Sequence, residues 1–288
     1  MPYLPAPTFR RADDMIDCPD HRGQAPILPL DAWYGSILGK ELAGQEAQCL
    51  ERMLCDTFGY YLLQVGGGTG LSEAIQVSRV HRRILLLPSV ASYSLGLQMV
   101  AAPERLPIAA DSVDLVVLPH TLEFADDPHQ VLREAERVLI PEGRLVVFSF
   151  NALSLWGLWR LVRRGQGGVP WCGRFLTSFR IGDWLSLLGF DVEQQEMMMF
   201  RPPWRRALLR QFSFLDTLGR RFWPVLGGVY AIRAIKRVST LTPLRTSWKS
   251  RRPVLAAGAV EPTTRETVTC SVGFGRAVEE GTRVQAHV

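Results

Sequence analysis

The stretch "VDLVVLPHTLEFADDPHQVLREAERVLIPEGRLVVFSF", residues 113 to 150, decides the fold. Its opening "VDLVVL" (113–118) is a short, nearly continuous apolar run, the pattern of a strand buried on both faces. Past a connecting loop, Asp127, Pro128 and Gln130 mark a helix start. The carboxylate accepts from free N–H groups, the proline has no donor to waste, and the glutamine completes a capping-box spacing. Val131, Leu132, Ala135, Val138 and Leu139 follow on one helical face. Pro141 and Gly143 stop that helix, and "RLVVFSF" (144–150) reads as the next strand. Strand, helix, strand implies parallel pairing through a right-handed crossover.

The same alternation extends outward. Upstream, "YYLLQV" (60–65) is a short buried strand running into "GGGTG" (66–70). "LSEAIQVSRVH" (71–81) is helix-like, which sets His81 near a helix end, and "RRILLLPS" (82–89) is an apolar strand ended by Pro88. Residues Asp31 to Asp56 predict one amphipathic helix, with Leu42, Ala47, Leu50, Met53 and Leu54 near one face. Downstream come a helix at "IGDWLSLLGF" closed by Gly189, a strand at "DVEQQEMMMF" and a basic amphipathic helix at 205–223. A last strand follows at "GGVYAIRAIKRV". The pattern predicts an α/β, doubly wound sheet, in which ligands sit outside the carboxyl ends of the strands. Residues 1–27, rich in proline, read as an extended or partly disordered arm, 28–240 as the folded domain, and 241–288 as a basic, mostly disordered tail.

Composition narrows the class of protein. Of the 288 residues 47% are hydrophobic, enough for a sizeable core. The net charge of +5 is unevenly spread: residues 201–252 hold eleven Arg and two Lys against the single acid Asp216, so the remainder is net acidic. The five cysteines form no CxxC pair and no zinc-like cluster with histidine, so no metal site is expected. They read as reduced thiols of a cytoplasmic protein. The N-terminus lacks the apolar core of a signal peptide, and no apolar run reaches the roughly 18 residues of a membrane span.

Glycines after a strand let the backbone turn with positive φ and approach a ligand closely, although a plain surface turn fits the same letters. A dinucleotide fold would want GxGxxG with an acid about 20 residues on, and a P-loop would want GK[ST]. This turn reads GxGxG, at Gly66, Gly68 and Gly70. Together with "ERLPIAADSVDLVVLPHTLEFADDP", "VLREAERVLIPEGRLVVFSFN" and "IGDWLSLLGFDVEQQE", it resembles the class I S-adenosylmethionine-dependent methyltransferases of the type 11, ubiquinone-biosynthesis-like group. The resemblance spans about residues 40 to 240 and implies a seven-stranded Rossmann-like sheet with S-adenosyl-L-methionine as cofactor. The site it implies comprises Gln64, Gly66, Gly67, Gly68 and Gly70 at the turn and Leu87 and Ser89 at the ribose. Ala102, Glu104 and Leu106 fall at the adenine, and His120 beside the reactive sulfonium. The family's acids fall here on Gln64, Leu87 and Ala102, none of which carries a carboxylate. Ser89 and Glu104 are the nearest groups able to bond the ribose and the adenine.

His120, following the 113–119 strand, is the candidate base for a hydroxyl or amine acceptor, or else a pocket-lining residue bonded to backbone. Glu123 shares its loop, Asp126 and Asp127 read as helix cap, and His129 as exposed. No Ser/His/Asp or Cys/His set can be assembled. "NALSLWGLWRLVRRG" (151–165) joins leucines and tryptophans to Arg160, Arg163 and Arg164. That composition suits a helix in an anionic membrane interface, a lid over an apolar substrate, or a buried helix. The run 201–252 suits anionic lipid or a solvated basic face, and contains no specific nucleic-acid module. The expected function is methyl transfer to a small, apolar acceptor; the alternative is a non-catalytic binding or regulatory protein on the same fold.

Overall fold

The computed structural model describes residues 27–67, 71, 74–75, 78–88, 97–162, 168–203 and 214–237. All belong to one compact unit, Met1–Thr240. Of the predicted arm at 1–27, residues 1–26 lie outside the described residues, as does the tail at 241–288, and Ile27 begins a helix.

Seven strands form one sheet in the order β3-β2-β1-β4-β5-β7-β6. They are β1 (Phe58–Val65), β2 (Arg79–Leu87), β3 (Leu97–Val100), β4 (Val113–Pro119), β5 (Leu139–Phe150), β6 (Phe190–Met198) and β7 (Val229–Lys236). β1 pairs in parallel with β2 and β4, β2 with β3, and β4 with β5. β7 runs antiparallel to both β5 and β6. The central strands are apolar on both faces because helices cover both: β7 is buried at every position.

One face carries α1 (Ile27–Tyr34) and α2 (Ile37–Leu54), whose Leu30, Trp33, Leu42, Leu50, Met53 and Leu54 meet Leu62, Leu115, Val146 and Phe148. The other carries α4 (Pro128–Val138) and α6 (Ser178–Leu187), packed on Leu63, Val116, Leu118 and Val147. Burying each such side chain contributes roughly 1.5–3 kcal/mol. The remaining described helices are α3 (Thr121–Phe124), α5 (Leu155–Val162) and α7 (Phe214–Phe222). Asp127 caps α4 as its sequence predicts, accepting from the N–H groups of His129 and Gln130 at 3.0 and 3.2 Å.

Four sequence expectations are corrected. The single helix 31–56 is two, because Ser36 caps a new one by accepting from Gly39 N–H at 3.0 Å. His81 lies inside β2, which starts at Arg79: alternation with the charged residues Arg79, Arg82 and Arg83 hides an edge-proximal strand start. α4 ends at Val138, and Leu139, though buried, already belongs to β5. Among the thiols Cys172 is disulfide-bonded, a pairing that sequence spacing does not encode. Of the predicted helix at 205–223, residues 205–213 lie outside the described residues.

Candidate cofactor and acceptor site

The sheet order reverses between β1 and β4, so the crevice at their carboxyl ends is the topological switch point. Gly66 and Gly67 occupy it, with φ of +72° and +63°, a region that favours glycine. Gly66 N–H donates to Leu86 O at 2.8 Å, which folds the turn back over β2. A Cβ on Gly67 would sit 2.5 Å from the Cβ of Pro119, so the turn lies directly against the end of β4. Thr121 Oγ1 donates to Val65 O and ties α3 to the same point.

Gln64, buried at the end of β1, explains its own identity. Its amide nitrogen donates to the carbonyls of Gly66 at 3.0 Å and Gly67 at 3.2 Å. A carboxylate has no proton to donate there and would face two carbonyl oxygens. The neutral residue braces the turn from within.

The other expected positions surround this turn. Leu87, 3% exposed, ends β2 and presents an apolar side chain where a ribose acid is expected. Ala102 is exposed, and Glu104 is engaged: its Oε1 accepts from Asp126 N–H at 3.1 Å. Leu106 is buried, its N–H donating to Glu134 at 2.9 Å and its carbonyl accepting from Arg137 at 2.9 Å. The loop after β3 is thereby fastened to α4. Gly68, Gly70 and Ser89 lie outside the described residues.

His120 stands at the carboxyl end of β4, in a left-handed conformation with φ of +52°. Its ring is fully buried between two buried carboxylates: Nε2 lies 2.7 Å from Glu46 Oε1 and Nδ1 lies 3.0 Å from Glu123 Oε1. Burial alone would lower its pKa, but the charges of Glu46 and then Glu123 outweigh that and raise it to about 10. The ring is therefore an imidazolium donating on both sides and has no lone pair for a substrate proton. Both ring nitrogens thus face carboxylate oxygens of the protein, where the general base expected at His120 would turn one to the substrate. Tyr34 donates to the second oxygen of Glu46 at 2.9 Å, Phe150 N–H donates to Glu123, and the Phe150 ring lies 4.1 Å from the imidazole. Glu123 Oε2 is buried without a hydrogen-bond partner.

Glu46 and Tyr34 were missed in the sequence. The signal was a carboxylate on a buried stripe, since Leu42, Glu46 and Leu50 follow one another at i, i+4 and i+8 on α2. Around them Trp33, Phe150, Trp156, Trp171 and Phe175 form an aromatic floor with centroids 5.0–6.4 Å apart. A separate cavity of about 510 Å³ lies between α2 and the end of β6, lined by Gln45, Gln48, Met197, Met198, Phe200 and Val225. It touches none of the expected cofactor residues. Among the described residues no His, Cys, Asp and Glu group could hold a metal ion.

A parallel sheet with a reversed seventh strand, inserted between the fifth and sixth, and a glycine turn after the first define the class I methyltransferase fold. Comparison with known proteins agrees: the methyltransferase domain family (Methyltransf_11) matches residues 63–147. The chain is 33% identical over 253 residues to the uncharacterized protein YafS of Escherichia coli K12, covering 86% of this chain and 95% of that one. It is 30% identical over 151 residues to the malonyl-[acyl-carrier protein] O-methyltransferase of Hahella chejuensis, covering 49% and 54%. An S-adenosylmethionine-dependent methyltransferase of Thermotoga maritima shares the fold at a TM-score of 0.56 and 19% identity, covering 74% of this chain and 99% of that one. The chain belongs to the class I S-adenosylmethionine-dependent methyltransferases, in one family with YafS, and S-adenosylmethionine is the cofactor that this family implies.

Proposed function

We propose that the chain transfers a methyl group from S-adenosylmethionine to a small, apolar acceptor at the carboxyl ends of β4 and β5. The observation that carries the reading is the glycine turn at the switch point, braced by Gln64 and pressed on Pro119. The fit to the cofactor is good at the turn and sparse at the ribose. Gly66 and Gly67, with Gly68 and Gly70 after them, would hold the methionine and ribose part through backbone. Leu87 and Ser89 would flank the ribose, and Ala102, Glu104 and Leu106 the adenine. The cofactor supplies an electrophilic sulfonium methyl when bound. The chain supplies orientation and exclusion of water: α1 and α2 cover this end of the sheet, and the aromatic floor favours an apolar acceptor. His120 holds its proton between Glu46 and Glu123 and positions α2 on β4.

Without a carboxylate at Leu87, binding should be about 10- to 100-fold weaker than with one, since a hydrogen bond to a charged group contributes roughly 1.5–3 kcal/mol. Calorimetric titration with S-adenosylmethionine and its demethylated product tests the reading. Saturable binding is expected, and Gly67→Ala should abolish it, because the new Cβ meets Pro119 at a positive φ. No heat at millimolar ligand would overturn the proposal. Binding without transfer to any acceptor would favour a non-catalytic binding protein, the reading that the apolar Leu87 and Ala102 support.

A further inference from the structure

The cavity beside α2 takes no part in the proposed reaction, and its lining has a definite chemistry. β6 is the last strand in the sheet order, so among the described residues its outer edge has no strand partner. Alternation sends Gln195 and Met197 to one face of that edge and Glu196 and Met198 to the other. The cavity of about 510 Å³ wraps the edge, reaching Phe179 of α6 as well as Gln45, Gln48 and Arg52 of α2. That volume suits a small molecule, whose sites run roughly 300–1,000 Å³.

The walls are tied in place around the space. Gln45 spans from α2 to the strand end, accepting from Met199 N–H at 3.1 Å and donating to Asp216 at 3.4 Å. Asp216 in turn accepts from Phe200 N–H at 3.0 Å. The wall at residues 224–227 is pinned by Asn151, which donates to Val225 O at 2.8 Å. Gly227 packs there so closely that a Cβ would lie 2.9 Å from the Cβ of Met197. Closing the cavity would mean breaking these ties.

The lining selects by charge and by bonding. Among its described residues Arg52 and Glu196 carry the only charges, and they cancel across 2.6 Å. An anion entering here would meet Glu196, and a cation would meet Arg52. The Gln45 amide is used, but the side-chain amides of Gln48 and Gln195 make no hydrogen bond among the described residues. Each therefore offers donors and an acceptor together. Beneath them Met197, Met198 and Phe200 supply thioethers and a ring, a surface that favours an aromatic body.

We infer that this cavity binds an uncharged amide with an apolar body, its donors and acceptors meeting Gln48, Gln195 and the free edge of β6. None of the expected cofactor residues lines it, so the inference does not rest on methyl transfer.

The probes are N-acetylphenylalaninamide and N-acetylphenylalanine, one frame without and with a negative charge, each titrated calorimetrically into the full chain. Saturable binding of the amide in the millimolar range, ordinary for a molecule of that size, is expected. The carboxylate should bind on the order of tenfold more weakly, since it loses its hydration beside Glu196. Val225→Trp should fill the cavity and abolish binding, because Val225 is 39% exposed and has room for a larger side chain. Gln48→Ala, at an exposed position, should weaken the amide about fivefold while keeping the thermal melt. It decides alone if Val225→Trp fails to fold. No saturable binding of the amide, equal affinity for the two probes, or unchanged affinity in Gln48→Ala overturns the inference. So does displacement of the amide by S-adenosylmethionine. Amide binding by a chain that gives no heat with S-adenosylmethionine would uphold the cavity site and remove the methyltransferase reading.

Discussion

Replacing Glu46 by Gln should turn His120 from a permanent imidazolium into a group that titrates near neutrality. Both carboxylates lie within 3.0 Å of the ring, and all three side chains are fully buried. At an effective dielectric of about 20, each opposite charge at such separations attracts by about 6 kcal/mol. A pKa raised from 6.5 to about 10 is a net preference for the imidazolium on the order of 5 kcal/mol, so burial must oppose the two attractions by about 7 kcal/mol, slightly more than either one supplies. Glu46→Gln keeps the shape, removes one attraction and leaves the burial cost, so the pKa should fall back to 6.5 or below. Because the folded value in the wild type lies above the unfolded one, the contribution is complete below about pH 6.5 and is lost as pH rises through about 10. The advantage of wild type over variant should shrink from about 5 kcal/mol near pH 6 to about 3 near pH 8 and about 1 near pH 9.5. Tyr34 faces the same carboxylate and keeps a partner, since its hydroxyl accepts from the glutamine amide as readily as it donates to Glu46. Urea denaturation across this range, with imidazole titration by nuclear magnetic resonance, gives both quantities. A gap that does not narrow with pH, or a wild-type His120 titrating near 6.5, would refute the reasoning.

Two further perturbations separate bracing from recognition. Gln64→Glu exchanges two amide donors for an acceptor-only group facing Gly66 O and Gly67 O, and should weaken S-adenosylmethionine about ten- to thirtyfold through loss of roughly 2 kcal/mol at the turn. A gain in affinity by calorimetry would mean that the missing family acid, not the brace, limits binding. Arg233→Met removes the buried guanidinium that holds Asp56 at 2.7 and 2.9 Å and Glu193 at 2.8 Å, at a cost of about 2–4 kcal/mol in urea. The bond from Arg233 holds the Asp56 carboxyl below its usual range, a contribution present above the unfolded pKa and lost as pH falls. The variant should therefore lose less stability on acidification than the wild type; an identical acid slope would count against the pairing.

Legibility followed periodicity. Strand β4, the 144–150 part of β5 and the capped α4 could be read because each signal is local, an apolar run or Asp127 before Pro128, whereas Pro141 and Gly143, read as a helix stop, lie inside β5. The boundary of α2 could not, because Ser36 caps it within a stretch whose spacing is continuous with α1. β2 began three residues early for the opposite reason, since Arg79 and His81 are exposed and polar while Arg79 and Val80 already pair with Phe58 and Gly59 through the ladder. The face of α5 was ambiguous in sequence: leucines around most of a helix fit burial and interface equally. Only the single inward Trp156 and the exposed Leu158, Leu161 and Val162 separate the two.

The site shows the same division between local and non-local information. The glycines announce a turn, but the reason for Gln64 is visible only once its amide meets the carbonyls of Gly66 and Gly67. Read as a missing acid, Gln64 joined Leu87 and Ala102 as a third loss; its geometry removes it from that group. The two remaining apolar positions lie at the ribose and adenine, not at the turn. A weakened grip there lowers affinity without disturbing the glycine turn or the ends of β4 and β5, where transfer would occur. Since binding energy that is equal in ground and transition states changes KM but not kcat, Leu87→Asp should tighten S-adenosylmethionine and leave the rate at saturation unchanged. A rise in kcat instead would mean that Leu87 acts on the reacting centre, and would move the site away from the switch point argued for it.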